Sequence, residues 1–208
     1  MNILSSLTTL GYAELVDVQG IERALPATEM LGRLMPLNGS PIQELVPKDK
    51  SESVSNSFSK HHGRSYFPLH TDTAFWPEPA RYMILFAKTS SQTSTRILPL
   101  QHTKELMDFA RRKNPIFLRQ TINGPIYSHP WIDNHGCRTL YDPCYMKPAN
   151  RAAEEFEATA LEWGARATRI AWTGAKALVI DNWQVLHGRD DCSDNDRVLY
   201  RFYRGEGN

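Results

Sequence analysis

No apolar run in this chain is long, and that confines it to a fold of many short elements. The most continuous run, Met83-Ile84-Leu85-Phe86-Ala87, is far too short to cross a membrane, which takes about 20 apolar residues in a helix. It reads as a buried strand over residues 82–87. Further strands are expected at 7–18, 96–100, 116–122, 126–128, 177–181 and 198–203, with Asn123-Gly124-Pro125 turning a hairpin. Helices are expected at 21–34, at 103–112, where Leu106, Phe109 and Ala110 suit an amphipathic pattern, and at 150–166, where Asn150 is the cap. The basic Arg111-Arg112-Lys113 falls at a helix end, where the dipole favours cations. Many short strands with two or three helices point to a β-sandwich or jelly roll with helices packed outside.

A chain of 208 residues suits one domain, expected to span 1–208. The most polar stretch, 47–64, opens with the charges Lys48, Asp49 and Lys50 and continues through a series of serines. The segment 47–66 built on it reads as a mobile lid on that domain. A net charge of +1 lacks the strongly basic footprint of a nucleic-acid-binding domain. Three cysteines, Cys137, Cys144 and Cys192, are too few and too odd for a disulfide scaffold. Cys137 and Cys144 are spaced too widely for a zinc pair. The N-terminus shows neither the basic nor the apolar region of a signal peptide. The expectation is a cytoplasmic protein whose partner is a small molecule, with no nucleic acid and no membrane; a homo-oligomer is left open.

Chemistry concentrates in two segments. In the first, His70 and Asp72 stand two apart, and in a strand they would project to one face. In the second, His187 follows an apolar strand and a polar turn, 181–186, and runs into Gly188-Arg189. Two histidines and one carboxylate with open positions is the ligand set of non-haem Fe(II) oxygenases. Downstream, alternation in 198–203 sets Leu199, Arg201 and Tyr203 on one face and Val198, Tyr200 and Phe202 on the other. An arginine among apolar and aromatic neighbours is costly unless it meets an anion, and its planar fork suits a carboxylate. Arg64, Arg189 and Arg197 are the candidates to pair with an anionic substrate group. Phe75 and Trp76 are pocket wall or plain core. Asp181 or Asn182 is the candidate to orient a metal-bound imidazole.

The run Asp181-Asn182-Trp183-Gln184-Val185-Leu186-His187-Gly188-Arg189, with His70-x-Asp72 upstream and Arg201 downstream, resembles the taurine dioxygenase and clavaminate synthase-like superfamily of Fe(II)- and 2-oxoglutarate-dependent oxygenases. It is also similar to the γ-butyrobetaine hydroxylase branch. The likeness covers residues 64–204. It implies an α+β, mainly β fold: a double-stranded β-helix (jelly roll, cupin-like) with flanking helices. It implies an oxidoreductase, a dioxygenase using Fe(II), 2-oxoglutarate and O2, with His70, Asp72 and His187 as iron ligands. Arg201 matches the arginine that takes the far carboxylate of 2-oxoglutarate, and Arg197 a second arginine near it. A threonine usually assists; Thr93 and Thr95 are both candidates, Thr95 preferred, because the usual preceding Gly-Gly is absent. Asp72 argues against the related halogenases, which have a small residue there. The implied reaction is hydroxylation of a small polar amino-acid-like or natural-product substrate, with release of succinate and CO2. Desaturation, cyclisation and epoxidation use the same residues. A non-catalytic binding protein that retains the fold is the alternative.

Overall fold

The computed structural model describes residues 2–52, 58–133, 138–193 and 197–205. Helix α1 (Ile3–Leu10) opens the chain where the sequence reading expects strand. Asn2 caps it by accepting from the Leu4 N–H, and Gly11, at φ 80°, ends it in the left-handed region. The strand expected there is confined to β1 (Tyr12–Val16). Helix α2 (Ile21–Ala27) also ends early: Pro26 removes a backbone donor, and one tight turn at Glu29–Leu31 leads into β2 (Arg33–Met35). β3 (Gln43–Leu45) follows. Within the expected lid, a tight turn at Lys50–Glu52 and α3 (Phe58–His62) are formed; residues 53–57 lie outside the described residues.

The remaining elements are β4 (Phe67–His70), β5 (Tyr82–Ala87), β6 (Ser91–Ile97), α4 (Leu100–Lys113), β7 (Phe117–Thr121), β8 (Gly124–Ser128), β9 (Trp131–Ile132), β10 (Arg138–Thr139), β11 (Met146–Pro148), α5 (Arg151–Trp163), β12 (Thr168–Trp172), β13 (Lys176–Asp181), β14 (His187–Arg189) and β15 (Leu199–Gly205). The strand expected at 96–100 lies earlier, because Pro99 sets the start of α4 at Leu100. Asn150 does cap α5, accepting from the Ala153 N–H at 2.9 Å.

The fold is an α+β, mainly β jelly roll whose sheets do not close into a barrel. The larger sheet runs β1-β13-β5-β15-β2, with β3 also on β15, and the smaller runs β12-β6-β14-β4. Every strand pair in both is antiparallel. Met83, Leu85 and Leu178 from the larger sheet and Ile97, Ile170 and Trp172 from the smaller share one buried core. The alternate residues Ile84, Phe86, Val179 and Phe202 face the other way and pack against Leu7 of α1 and Ala24 of α2. Both faces of β5 are therefore covered, which is why it reads as an unbroken apolar run. α4 and α5 cover the outside of the smaller sheet through Leu106 and Phe156 against Leu69 and Leu186. Each such fully buried side chain contributes about 1.5–3 kcal/mol. No helix among the described residues is long and apolar enough to cross a membrane.

Candidate functional site

β4 and β14 are neighbours in the smaller sheet, and their register sets His70 directly opposite His187. The two rings stand 4.4 Å apart between centroids. Gly188 permits this approach: a Cβ there would lie 2.5 Å from the Phe67 carbonyl oxygen and 3.0 Å from that of Pro68. Two imidazoles distant in sequence thus meet as a cross-strand pair.

Asp72 reaches them by another route than the shared strand face expected from the sequence. β4 ends at His70, and Asp72 lies in the turn beyond it. The next residue, Thr73, has φ 58°, a strained conformation for a β-branched residue. Its hydroxyl donates to the Asp72 carbonyl at 2.6 Å and accepts from the Ala80 N–H at 2.9 Å. Asn182 secures the same turn. Its side chain accepts from the Asp72 N–H at 2.8 Å and donates to the carbonyls of Asp72 (2.9 Å) and Ala80 (2.8 Å). Asn182 therefore orients the backbone of Asp72 rather than an imidazole. Asp181 shapes its own turn, accepting from the Trp183 N–H and the Gln184 side chain.

The Asp72 carboxylate is closely held. Oδ1 accepts from the Thr73 N–H at 3.0 Å; Oδ2 accepts from Arg201 Nη1 and the Tyr203 hydroxyl, each at 2.9 Å. Arg201 and Tyr203 share one face of β15, as the alternation implies. Burial pushes the carboxyl up, but Arg201 first, then His187, His70 and the Tyr203 hydroxyl, outweigh it and hold it at about 2. Burial lowers both imidazoles, His187 well below its ordinary value with His70 adding to the effect. At neutral pH the trio is one carboxylate and two neutral imidazoles. His70 Nδ1 lies 2.9 Å from the Pro68 carbonyl, so Nδ1 carries the proton and Nε2 the lone pair. His187 Nδ1 is buried with no hydrogen-bond partner among the described residues. As they stand, no three His, Cys, Asp or Glu side chains among the described residues form a ready metal cluster. The donor set nonetheless fits a divalent ion: two neutral imidazoles, one with an orphaned nitrogen, and an ionised carboxylate.

These three residues line one cavity of about 360 Å³, together with Phe75, Thr95, Arg189, Arg197 and Arg201. The larger sheet supplies the guanidinium of Arg201 and the smaller the imidazoles. Thr95 accepts from Trp172 Nε1 at 3.1 Å, which leaves its hydroxyl proton to point elsewhere. Thr93 is outside the lining and its hydroxyl lies 3.5 Å from the Asp191 carbonyl. Arg189 spends donors on the carbonyls of Gly63 and Ser65 and stacks 4.0 Å over the Phe67 ring, pinning the chain ahead of β4. Arg64 stands outside the lining, 3.3 Å from Asp49. Pro47, Lys48, Ser59 and Gly63, all from the expected lid, do line the cavity. Sequence reasoning missed Asp142, Tyr145 and Glu44, which line it too, and the bond from Tyr203. Tyr203 was within reach, since it alternates with Arg201; Asp142 belongs to no spacing pattern.

No family model matches this sequence, and no curated protein does. Solved structures do. An asparagine oxygenase in complex with Fe(II), 2S,3S-3-hydroxyasparagine and succinate superposes with a TM-score of 0.71 at 17% identity, over 93% of this chain and 73% of that one. PvcB from Pseudomonas aeruginosa gives 0.67 at 14%, over 98% and 78%. The non-heme iron oxygenase OrfP, in complex with Fe and alpha-ketoglutaric acid, gives 0.65 at 16%, over 89% and 64%. At such identities the likeness establishes that this chain shares the fold of these oxygenases.

Proposed function

We propose that this chain is an Fe(II)- and 2-oxoglutarate-dependent oxygenase that hydroxylates a small, polar, amino-acid-like or natural-product substrate, releasing succinate and CO2. The observation that carries this reading is the cross-strand pair His70 and His187, with the ionised Asp72 on the same cavity wall. His70, Asp72 and His187 would hold the iron. When bound, iron with 2-oxoglutarate and O2 supplies the oxidising chemistry. The chain's own residues bind, orient and keep out water. Arg201 Nε is buried and makes no hydrogen bond among the described residues, so a donor remains there for the far carboxylate of the cosubstrate. The Thr95 hydroxyl and the Arg197 guanidinium, on the same cavity, complete an anion receptor. Phe75 and Tyr145, with rings 5.2 Å apart, form an apolar wall for substrate. Residues 47–66, several of which line the cavity, serve as its lid. Support comes also from what the similar structures hold: Fe(II), succinate and hydroxyasparagine in one, and Fe, succinate and (3S)-hydroxy-L-Arg in another. Desaturation, cyclisation or epoxidation would follow from the same residues if a different substrate hydrogen faced the metal.

A second reading, a binding protein that retains the fold, is favoured by the engagement of Asp72 with Arg201. Anaerobic titration with Fe(II) and 2-oxoglutarate separates the two. The oxygenase gives a visible charge-transfer band, which His187→Ala abolishes. Metal-replete protein without a band would exclude the oxygenase and leave the binding protein.

A further inference from the structure

The cavity has a second pole. Besides the guanidinium-bearing Arg197 and Arg201, the acidic residue Asp142 also lines it. Asp142 is 1% exposed; its carboxyl accepts from the backbone N–H of Cys144, at 2.7 Å to Oδ1, and is held by that of Tyr145 as well. It makes no salt bridge among the described residues. Lys147, whose positive charge acts on it, bonds through its ammonium to the Pro143 carbonyl at 3.4 Å. The other charge that Asp142 feels is repulsive, from Asp72. A carboxyl buried against a cavity with no cation beside it is expensive. Burial first, and Asp72 in addition, accordingly push it up to about 8.

A residue built this way has a use if the missing cation arrives with a ligand. A protonated amine in the cavity would favour the ionised form of Asp142, its proton leaving to solvent, and would give that carboxylate a counter-charge and a charge-assisted hydrogen bond. Tyr145 and Phe75 beside it offer aromatic faces, which favour cations and the carbon chain of an amine. The guanidinium side meanwhile remains for a carboxylate. The two poles together select a molecule that brings an ammonium group toward Asp142 while the dicarboxylate occupies the arginines.

We propose that Asp142 is the receptor for a protonated amine of the substrate and sets the preference of the site for amino compounds. This rests on the oxygenase reading for the occupancy of the rest of the cavity, but it is testable without turnover.

The test is calorimetric titration of the full chain loaded with Mn(II) and N-oxalylglycine, a pair that does not turn over. The probes are the proteinogenic L-amino acids, agmatine and putrescine, followed by the desamino analogue of every compound that binds. At least one amine should bind, and its desamino analogue at least tenfold more weakly. Asp142→Asn should weaken the amine at least tenfold and leave the analogue unchanged; Asp142→Glu, which keeps the charge, should recover part of the loss. Thermal melts confirm that each variant is folded. If no amine binds, or if an amine binds wild type and Asp142→Asn equally, the assignment of Asp142 is wrong. If the protein takes neither Mn(II) nor N-oxalylglycine, the oxygenase reading fails by itself. The amine titration of the unloaded chain then still decides Asp142 by the same comparison.

Discussion

Asn182 does at residue scale what neither sequence motif does alone. It grips the backbone of Asp72 and of Ala80 from the turn that leads to His187, so both halves of the site share one hub. Asn182→Ala takes these bonds from the buried Asp72 N–H and the Ala80 carbonyl, and leaves the Asp72 carbonyl only the Thr73 hydroxyl. It should cost about 1–3 kcal/mol in urea unfolding and weaken Fe(II) binding, read by titration, at least tenfold. A variant that loses stability but binds metal as before would show that Asp72 does not need this hold. Asp142 makes a prediction with a definite sign. Its folded value, about 8, lies above the unfolded value near 3.9. The native state then holds a proton that the unfolded chain releases, and stability falls as pH rises from about 4 to about 8. Asp142→Asn keeps the shape and the acceptor for Cys144 but removes the titration. The stability difference in favour of the variant should grow by on the order of a few kcal/mol between pH 5 and pH 8, measured by urea unfolding. A difference independent of pH would mean that Asp142 ionises normally.

At the scale of elements, the pairing of β4 with β14 is the arrangement on which the site stands, and Gly188 is its tightest point. Gly188→Ala presses a methyl onto the Phe67 and Pro68 carbonyls. It should cost about 1–3 kcal/mol from overpacking and separate the imidazoles, so that the charge-transfer titration fails before the fold does. A variant with an unchanged band would show that the strands have slack here. Much at this scale was legible in the sequence. β5 announces itself as an apolar run because both its faces are covered, and Asn150 announces α5 as its cap. The face of β15 that carries Arg201 follows from alternation alone. What escaped depends on contacts between distant segments. Nothing around Ile3–Leu10 marks it as helix rather than strand except a cap and a terminating glycine, signals too local to weigh. Asp72 looked like a strand residue because the turn that holds it is made by Thr73 in a conformation its side chain disfavours, stabilised by Asn182 from far along the chain. Asp142 was invisible for the same reason: its meaning lies in the lack of a cation, which only the folded surroundings show.

For the whole molecule, metal and cosubstrate should stabilise the native state by mass action, because the unfolded chain cannot assemble the site. At a hundredfold excess over the dissociation constant each contributes about 2.7 kcal/mol. The melting temperature should therefore rise with Mn(II), and rise further when N-oxalylglycine is added, and Arg201→Ala should lose the second increment. An unchanged melting temperature at saturating concentrations would count against a site of this kind. The imidazoles hang from the smaller sheet, while the guanidinium and phenol that steady Asp72 hang from the larger. The spacing between the two layers is thus a calliper on the ligand geometry. Trp172, 1% exposed in the filling between them, acts as the spacer that sets the jaws. Trimming that spacer, or squeezing the protein with hydrostatic pressure, should detune the proposed metal site at strains far too small to unfold it.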